Sequence, residues 1–189
     1  MHLVSPAQTV LDILHPWFSR KSDTLHAFSR SAASYEEWLN WELFDAFLHH
    51  GYQCEGRPDY RNWGTHSMGA LKGDLLAVCP DTQAAYLIEM ALVGSGTQNK
   101  WRQKIQRDHE KLQQLRLHQP ETALHRIQLV LLAAADETDV VQTWGDWLHA
   151  IPFYATQRAM AAKPIALRHP GIATQGEAVL LLWEVAADH

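Results

Sequence analysis

Apolar residues recur at helical spacing in the first part of the chain and at strand spacing further on. From Ser5 to Phe18, the positions Val10, Leu11, Ile13, Leu14 and Trp17 form one apolar stripe, which predicts a short helix disturbed near its end by Pro16. Residues 22–33 predict a second, weaker helix. Ser34 and Glu37 stand in an S-x-x-E arrangement, in which each side chain satisfies an N–H at a helix start. Trp38, Trp41, Phe44 and Leu48 then continue at helical spacing until Gly51, a natural terminator. Residues 52–62 are polar and rich in turn formers, and predict a loop.

Beyond this loop the period changes. ALKGDLLAV (70–78) and AYLIEMALV (85–93) predict two strands joined by the turn-like CPDTQA (79–84), hence a hairpin. A polar loop over 94–99 leads into a basic amphipathic helix from about Gln98 to His118, stopped by Gln119 and Pro120. IQLVLLAAA (127–135) is a continuous apolar run, as expected of a strand buried on both faces. Residues 138–149 predict a helix and 178–186 a last strand; the proline-containing stretch 150–175 yields no assignment. This order predicts one α/β domain over 1–189 with a central sheet: a helical extension (1–33), a core (34–135), and a C-terminal helix and strand (136–189).

Charge adds one local feature. The chain carries a net charge of -5, too acidic for broad, unspecific grip on a phosphate backbone. Residues 98–116 nevertheless hold Lys100, Arg102, Lys104, Arg107, Lys111 and Arg116 against only Asp108 and Glu110, a basic helix suited to a local anion contact. Cys54 and Cys79 form no zinc-type spacing, and the twelve histidines show no HxxxH or HExxH pattern. No apolar run is long enough to span a membrane, and no basic leader with an apolar core is present, so a reducing, cytoplasmic setting is expected.

The candidate chemistry lies in the hairpin. Asp74 and Glu89 each interrupt an apolar strand, and a carboxylate there is costly unless something charged or hydrogen-bonding meets it. Two such acids on adjacent strands can converge, and paired carboxylates are what a hard divalent cation requires.

In this pattern the chain resembles the PD-(D/E)XK nuclease superfamily. There, an acid on one strand is followed across a hairpin by an acid-x-lysine on the next, with alternating helices and strands around them. The resemblance covers about residues 34–135 and implies a restriction-endonuclease-like mixed sheet flanked by helices. It makes Asp74 the first acid and Glu89-Met90-Ala91 the second motif. It also implies a glutamate from the preceding helix, for which Glu42 is the first candidate and Glu37 the second. Asp74, Glu89 and Glu42 would then hold Mg²⁺ or Mn²⁺. The departure is Ala91, which stands where the family has its lysine. Lys72, Lys100 and Lys104 are the candidate replacements, with Lys72 preferred because it lies two residues before Asp74 on the same predicted strand face.

Other features carry less. Ser95 lacks the first glycine of a nucleophile elbow, and the 64–69 loop lacks a Walker lysine. Trp63 and Trp101 are the tryptophans expected to be exposed. The resulting expectation is a metal-dependent nuclease acting on DNA or RNA. The alternative is a nuclease-fold protein that no longer cuts and serves as a binding or inhibitory module for a protein partner in a toxin, immunity or defence system.

Overall fold

The computed structural model describes all residues except 1–3, 32–34, 66–70, 95–97, 119–122, 158, 169–174 and 188–189, and describes the backbone alone at 98–100 and 155–156. The predicted Ser34 cap, the Ser95 loop and most of the 64–69 loop therefore lie outside the described residues.

Helix α1 (Pro6–Ser19) starts where Ser5 Oγ accepts from Gln8 N at 3.2 Å and Pro6 fills the first turn, whose N–H groups have no helical partner. Helices α2 (Ser22–Ser29) and α3 (Glu36–His49) follow, and Gly51 after α3 adopts a positive φ of 82°, as a helix terminator should. Then come strand β1 (Gln53–Gly56), a 3-10 turn (Tyr60–Asn62), and strands β2 (Gly64–Thr65), β3 (Leu75–Val78) and β4 (Ala85–Gly94). Helix α4 (Gln98–Gln114), β5 (Arg116–Leu117) and β6 (Leu124–Ala134) come next. Three short helices, α5 (Val140–Thr143), α6 (Gly145–His149) and α7 (Pro152–Thr156), precede β7 (Ala161–Leu167) and β8 (Gly176–Glu184).

Six strands form one mixed sheet in the order β1-β3-β4-β6-β8-β7, and β2 pairs with β5 in a separate ribbon. Only β4 and β6 run parallel; the remaining neighbours in the large sheet are antiparallel. The parallel pair is central, buried on both faces and almost wholly apolar. On one face Ile88, Met90, Leu129 and Leu131 pack under α1, α2 and α3; on the other Ala91, Val93, Val130 and Leu132 pack with Trp101, Ile105 and the short C-terminal helices.

The fold is thus α/β, with a central mixed sheet between helices. Helices α1 and α2 are not an extension: their buried residues belong to the same core as the sheet, and they cover β7, β8 and β6. The predicted first strand shrinks to Leu75–Val78, because the chain bends at Asp74 before it. The predicted 138–149 helix divides into α5 and α6. Two edge strands lacked a sequence signal. β1 is mostly exposed, and β7 alternates weakly around Lys163 and Pro164. The Pro164 carbonyl faces away from β8 and meets His15 Nε2 of α1 at 3.0 Å.

Candidate functional site

The site begins where β3 parts from β4. Asp74 N makes the last hydrogen bond of that pairing, to Ile88 O at 3.2 Å. Backbone groups alternate sides along a strand, so the N–H and C=O of Met90 also point toward the missing partner. Side chains take over both. Asp74 Oδ2 accepts from Met90 N at 2.8 Å, and Lys104 Nζ of α4 donates to Met90 O at 2.8 Å.

The next residue back, Glu89, points to the α4 face of the sheet and is only 1 % exposed. Its Oε1 accepts from the buried Tyr60 hydroxyl and meets Lys111 Nζ at 2.9 Å. Lys104, Asp108 and Lys111 are spaced four and three apart, which places them on one helical stripe facing the sheet. Asp108 bridges the two lysines, at 2.7 Å to Lys104 and 2.9 Å to Lys111. From the opposite layer, Glu36 in the first turn of α3 reaches Lys104 at 3.0 Å. Gln128, paired in register with Glu89 on β6, is fully buried, and its amide has no hydrogen-bond partner among the described residues.

Four carboxylates therefore share two ammonium groups, leaving a formal charge of -2 when all are ionised. Burial raises the Asp74 pKa, opposed by the charge of Lys104. Burial raises Glu89 as well, reinforced by the charge of Asp74 and opposed by Lys111. Glu36 is raised by burial, against the pull of Lys104. Burial alone would lower Lys104, but Asp108, Asp74 and Glu36 hold it above its ordinary value. Lys111 is likewise raised, by Glu89 and Asp108 against desolvation. The surplus of negative charge, all of it on oxygen donors, suits a hard divalent cation. Among the described residues no three His, Cys, Asp or Glu side chains converge as a preformed cage. Three carboxylates, Glu36, Glu37 and Asp74, do line one cleft of about 650 Å³, together with Asn40, Trp41, Phe44, Gly56 and Arg57.

Of the residues expected from sequence, Asp74, Glu89 and Lys104 come together. Glu42 does not: six positions beyond Glu36, it lies about 240° further round the helix, where it accepts from Trp17 Nε1 at 2.9 Å and pairs with Lys21 at 2.6 Å. Lys72 is also elsewhere, exposed, with its backbone paired to that of Asp59, because the bend at Asp74 interrupts the strand alternation that would have aligned it. The side chain of Lys100 is outside the described set. Trp101 is buried under the sheet at 7 % exposure and Trp63 is half-buried, so neither is the exposed ring expected. Sequence reasoning missed Glu36, Asp108, Lys111 and Tyr60. The stripe Lys104-Asp108-Lys111 was a usable signal; Tyr60, in a turn-rich segment, gave none.

No family model matches the chain, and no curated protein or solved structure matches it either. Among the described residues, no helix is long and apolar enough to cross a membrane.

Proposed function

We propose that the protein is a metal-dependent nuclease of the restriction-endonuclease-like, PD-(D/E)XK type, in which the lysine missing at Ala91 is supplied from α4. The observation that carries this reading is the position of Lys104 Nζ, 2.8 Å from Met90 O and 3.0 Å from Glu36, beside the Asp74 carboxylate. Ala91 cannot supply a cation, whereas α4 brings two to the same acids.

In this reading Asp74 and Glu36 would hold Mg²⁺ or Mn²⁺ at the cleft, with the charge of the buried Glu89 close to Asp74. The cation, when bound, supplies Lewis acidity to a phosphodiester and lowers the pKa of a water. Lys104 balances charge beside these acids, while Asp108 and Lys111 fix Lys104 and Glu89 in place. Water gives up a proton to solvent as its oxygen adds to phosphorus, the ester P–O bond breaks, and the leaving oxygen takes a proton from solvent.

The test is incubation of the pure protein with single- and double-stranded DNA and RNA in Mg²⁺ or Mn²⁺. Cleavage that Asp74→Ala abolishes is expected. No cleavage on any substrate, or cleavage indifferent to Asp74→Ala, overturns the proposal.

One observation favours the non-cutting alternative, a binding or inhibitory module. Glu89 is 1 % exposed, and its Oε1 is engaged by both Tyr60 and Lys111. That arrangement also serves a purely structural ion pair. A Glu89→Gln variant that keeps its full biological effect without any hydrolysis selects this alternative.

A further inference from the structure

Of the eight tryptophans, all within the described residues, Trp41 alone is exposed, at 66 %. It lies on the cleft that contains Asp74 and Glu36. Glu36, Glu37, Asn40, Trp41 and Phe44 occupy one stripe of α3, so the acidic end and the aromatic end of the cleft are set by the same helix. Phe44 packs edge-on against the indole, with centroids 6.1 Å apart and planes at 68°, which steadies the ring without covering its face.

The wall opposite α3 holds Arg57. Its backbone sits at φ 55°, a left-handed conformation uncommon for a residue with a Cβ. Two ties hold it there: Arg57 N donates to Asp74 O at 3.1 Å, and Gly73 N to Pro58 O at 3.0 Å. The same backbone that places Asp74 therefore places Arg57. The Arg57 side chain is exposed, and no ion pair engages it among the described residues. A flat open ring, an amide at Asn40 and a guanidinium thus surround one cleft next to the acids.

The geometry points to a subsite for an unpaired nucleotide of a single-stranded nucleic acid, resting on the nuclease reading above. The base stacks on Trp41, Asn40 borders its edge with the amide nitrogen, its Oδ1 being buried, and Arg57 takes a flanking phosphate while the acids face the cation. Stacking needs a base outside a duplex, because a paired base hides its faces between neighbours. The net charge of -5 fits the same conclusion, since it leaves little capacity for broad grip on the two phosphate backbones of a duplex.

The experiment measures fluorescence anisotropy of labelled oligothymidylate and oligouridylate of about 12 nucleotides, beside a blunt duplex of equal length. The full chain, Trp41→Ala, Trp41→Phe and Arg57→Ala are compared, and cleavage is assayed on the same substrates. The single strands should bind more tightly than the duplex, and the thymidylate and uridylate arms identify DNA or RNA as the source of the strand. Trp41→Ala should weaken single-strand binding by roughly 5- to 150-fold, with Trp41→Phe retaining most of it. Arg57→Ala should lower the slope of log affinity against log salt by about 0.7. Equal binding of duplex and single strand, or no effect of Trp41→Ala, overturns the subsite; if cleavage dependent on Asp74 persists, the nuclease reading stands without it. A Trp41→Ala change in oligomeric state alone would make the face a contact between copies and also overturn the subsite. Absence of both binding and cleavage removes both proposals.

Discussion

Lys111 and Glu89 meet at 2.9 Å with 13 % and 2 % of their side-chain surfaces exposed. Both charges are therefore largely out of water, and each depends on the other. Removing one partner of such a pair leaves a buried charge without compensation. Lys111→Met should lower the stability of the fold by about 3–5 kcal/mol. Adding Glu89→Gln should recover a large part of the loss. Urea denaturation of the two single variants and the double variant gives the coupling energy, and simple additivity would contradict the pairing.

Lys104 and the two residues the structure moves out of the site make a sharp contrast. Lys104→Ala should reduce the cleavage rate by about 10²-fold or more while the circular dichroism spectrum is retained. Lys72→Ala should leave the rate essentially unchanged, because that side chain is exposed and makes no ion pair with the acids of the site among the described residues. Glu42→Gln should affect thermal stability and not the rate, since it ties α3 to Trp17 and Lys21. A rate lost with Lys72 and kept without Lys104 would refute the assignment.

Stability should depend on pH in a definite direction. Asp74 and Glu89 have raised pKa values, so the folded state binds their protons more tightly than the unfolded chain. Their contribution is full below the ordinary carboxylate range and is lost as pH rises through the raised values. In chelator, the melting temperature should therefore fall between about pH 5 and pH 8. The slope assignable to one group is at most about 1.4 kcal/mol per pH unit. Glu89→Gln should flatten it, and an unchanged slope in that variant would show that Glu89 does not carry it.

Divalent cations should act on the same charges. Saturation with Mn²⁺ or Mg²⁺ at about 100 times the dissociation constant adds about 2.7 kcal/mol to the folded state. The melting temperature should rise accordingly, and more at pH 8 than at pH 5, because the carboxyls must be ionised to bind. Asp74→Asn should abolish the rise. A melting temperature indifferent to both cations would argue against a metal at the cleft.

The central strands were legible because nothing about them depends on distant context. β4 and β6 are long apolar runs, and a carboxylate inside one of them needs a partner wherever the fold takes it. Asp74 and Glu89 could be picked out for that reason. The partners could not all be found, for geometric reasons. Glu37 fits a capping role in the sequence, and Glu36 beside it carries no separate signal. Lys72 was aligned with Asp74 by a strand period that a bend interrupts. Gln128 stands in a run dominated by leucine and alanine, where one neutral amide does not break the apolar pattern. The edge strands β1 and β7 carry too little burial to imprint an alternation, and β1 has the sequence pattern of a loop for that reason.

The edge strand β7 has its own consequence. A strand arriving alongside it would need regularly spaced donors and acceptors, but Pro164 has no N–H to give and its carbonyl is already met by His15. Copies of the chain are thereby kept from joining through this edge into a continuous sheet. The long apolar strands at the centre can thus be retained without inviting fibrous aggregation from that side.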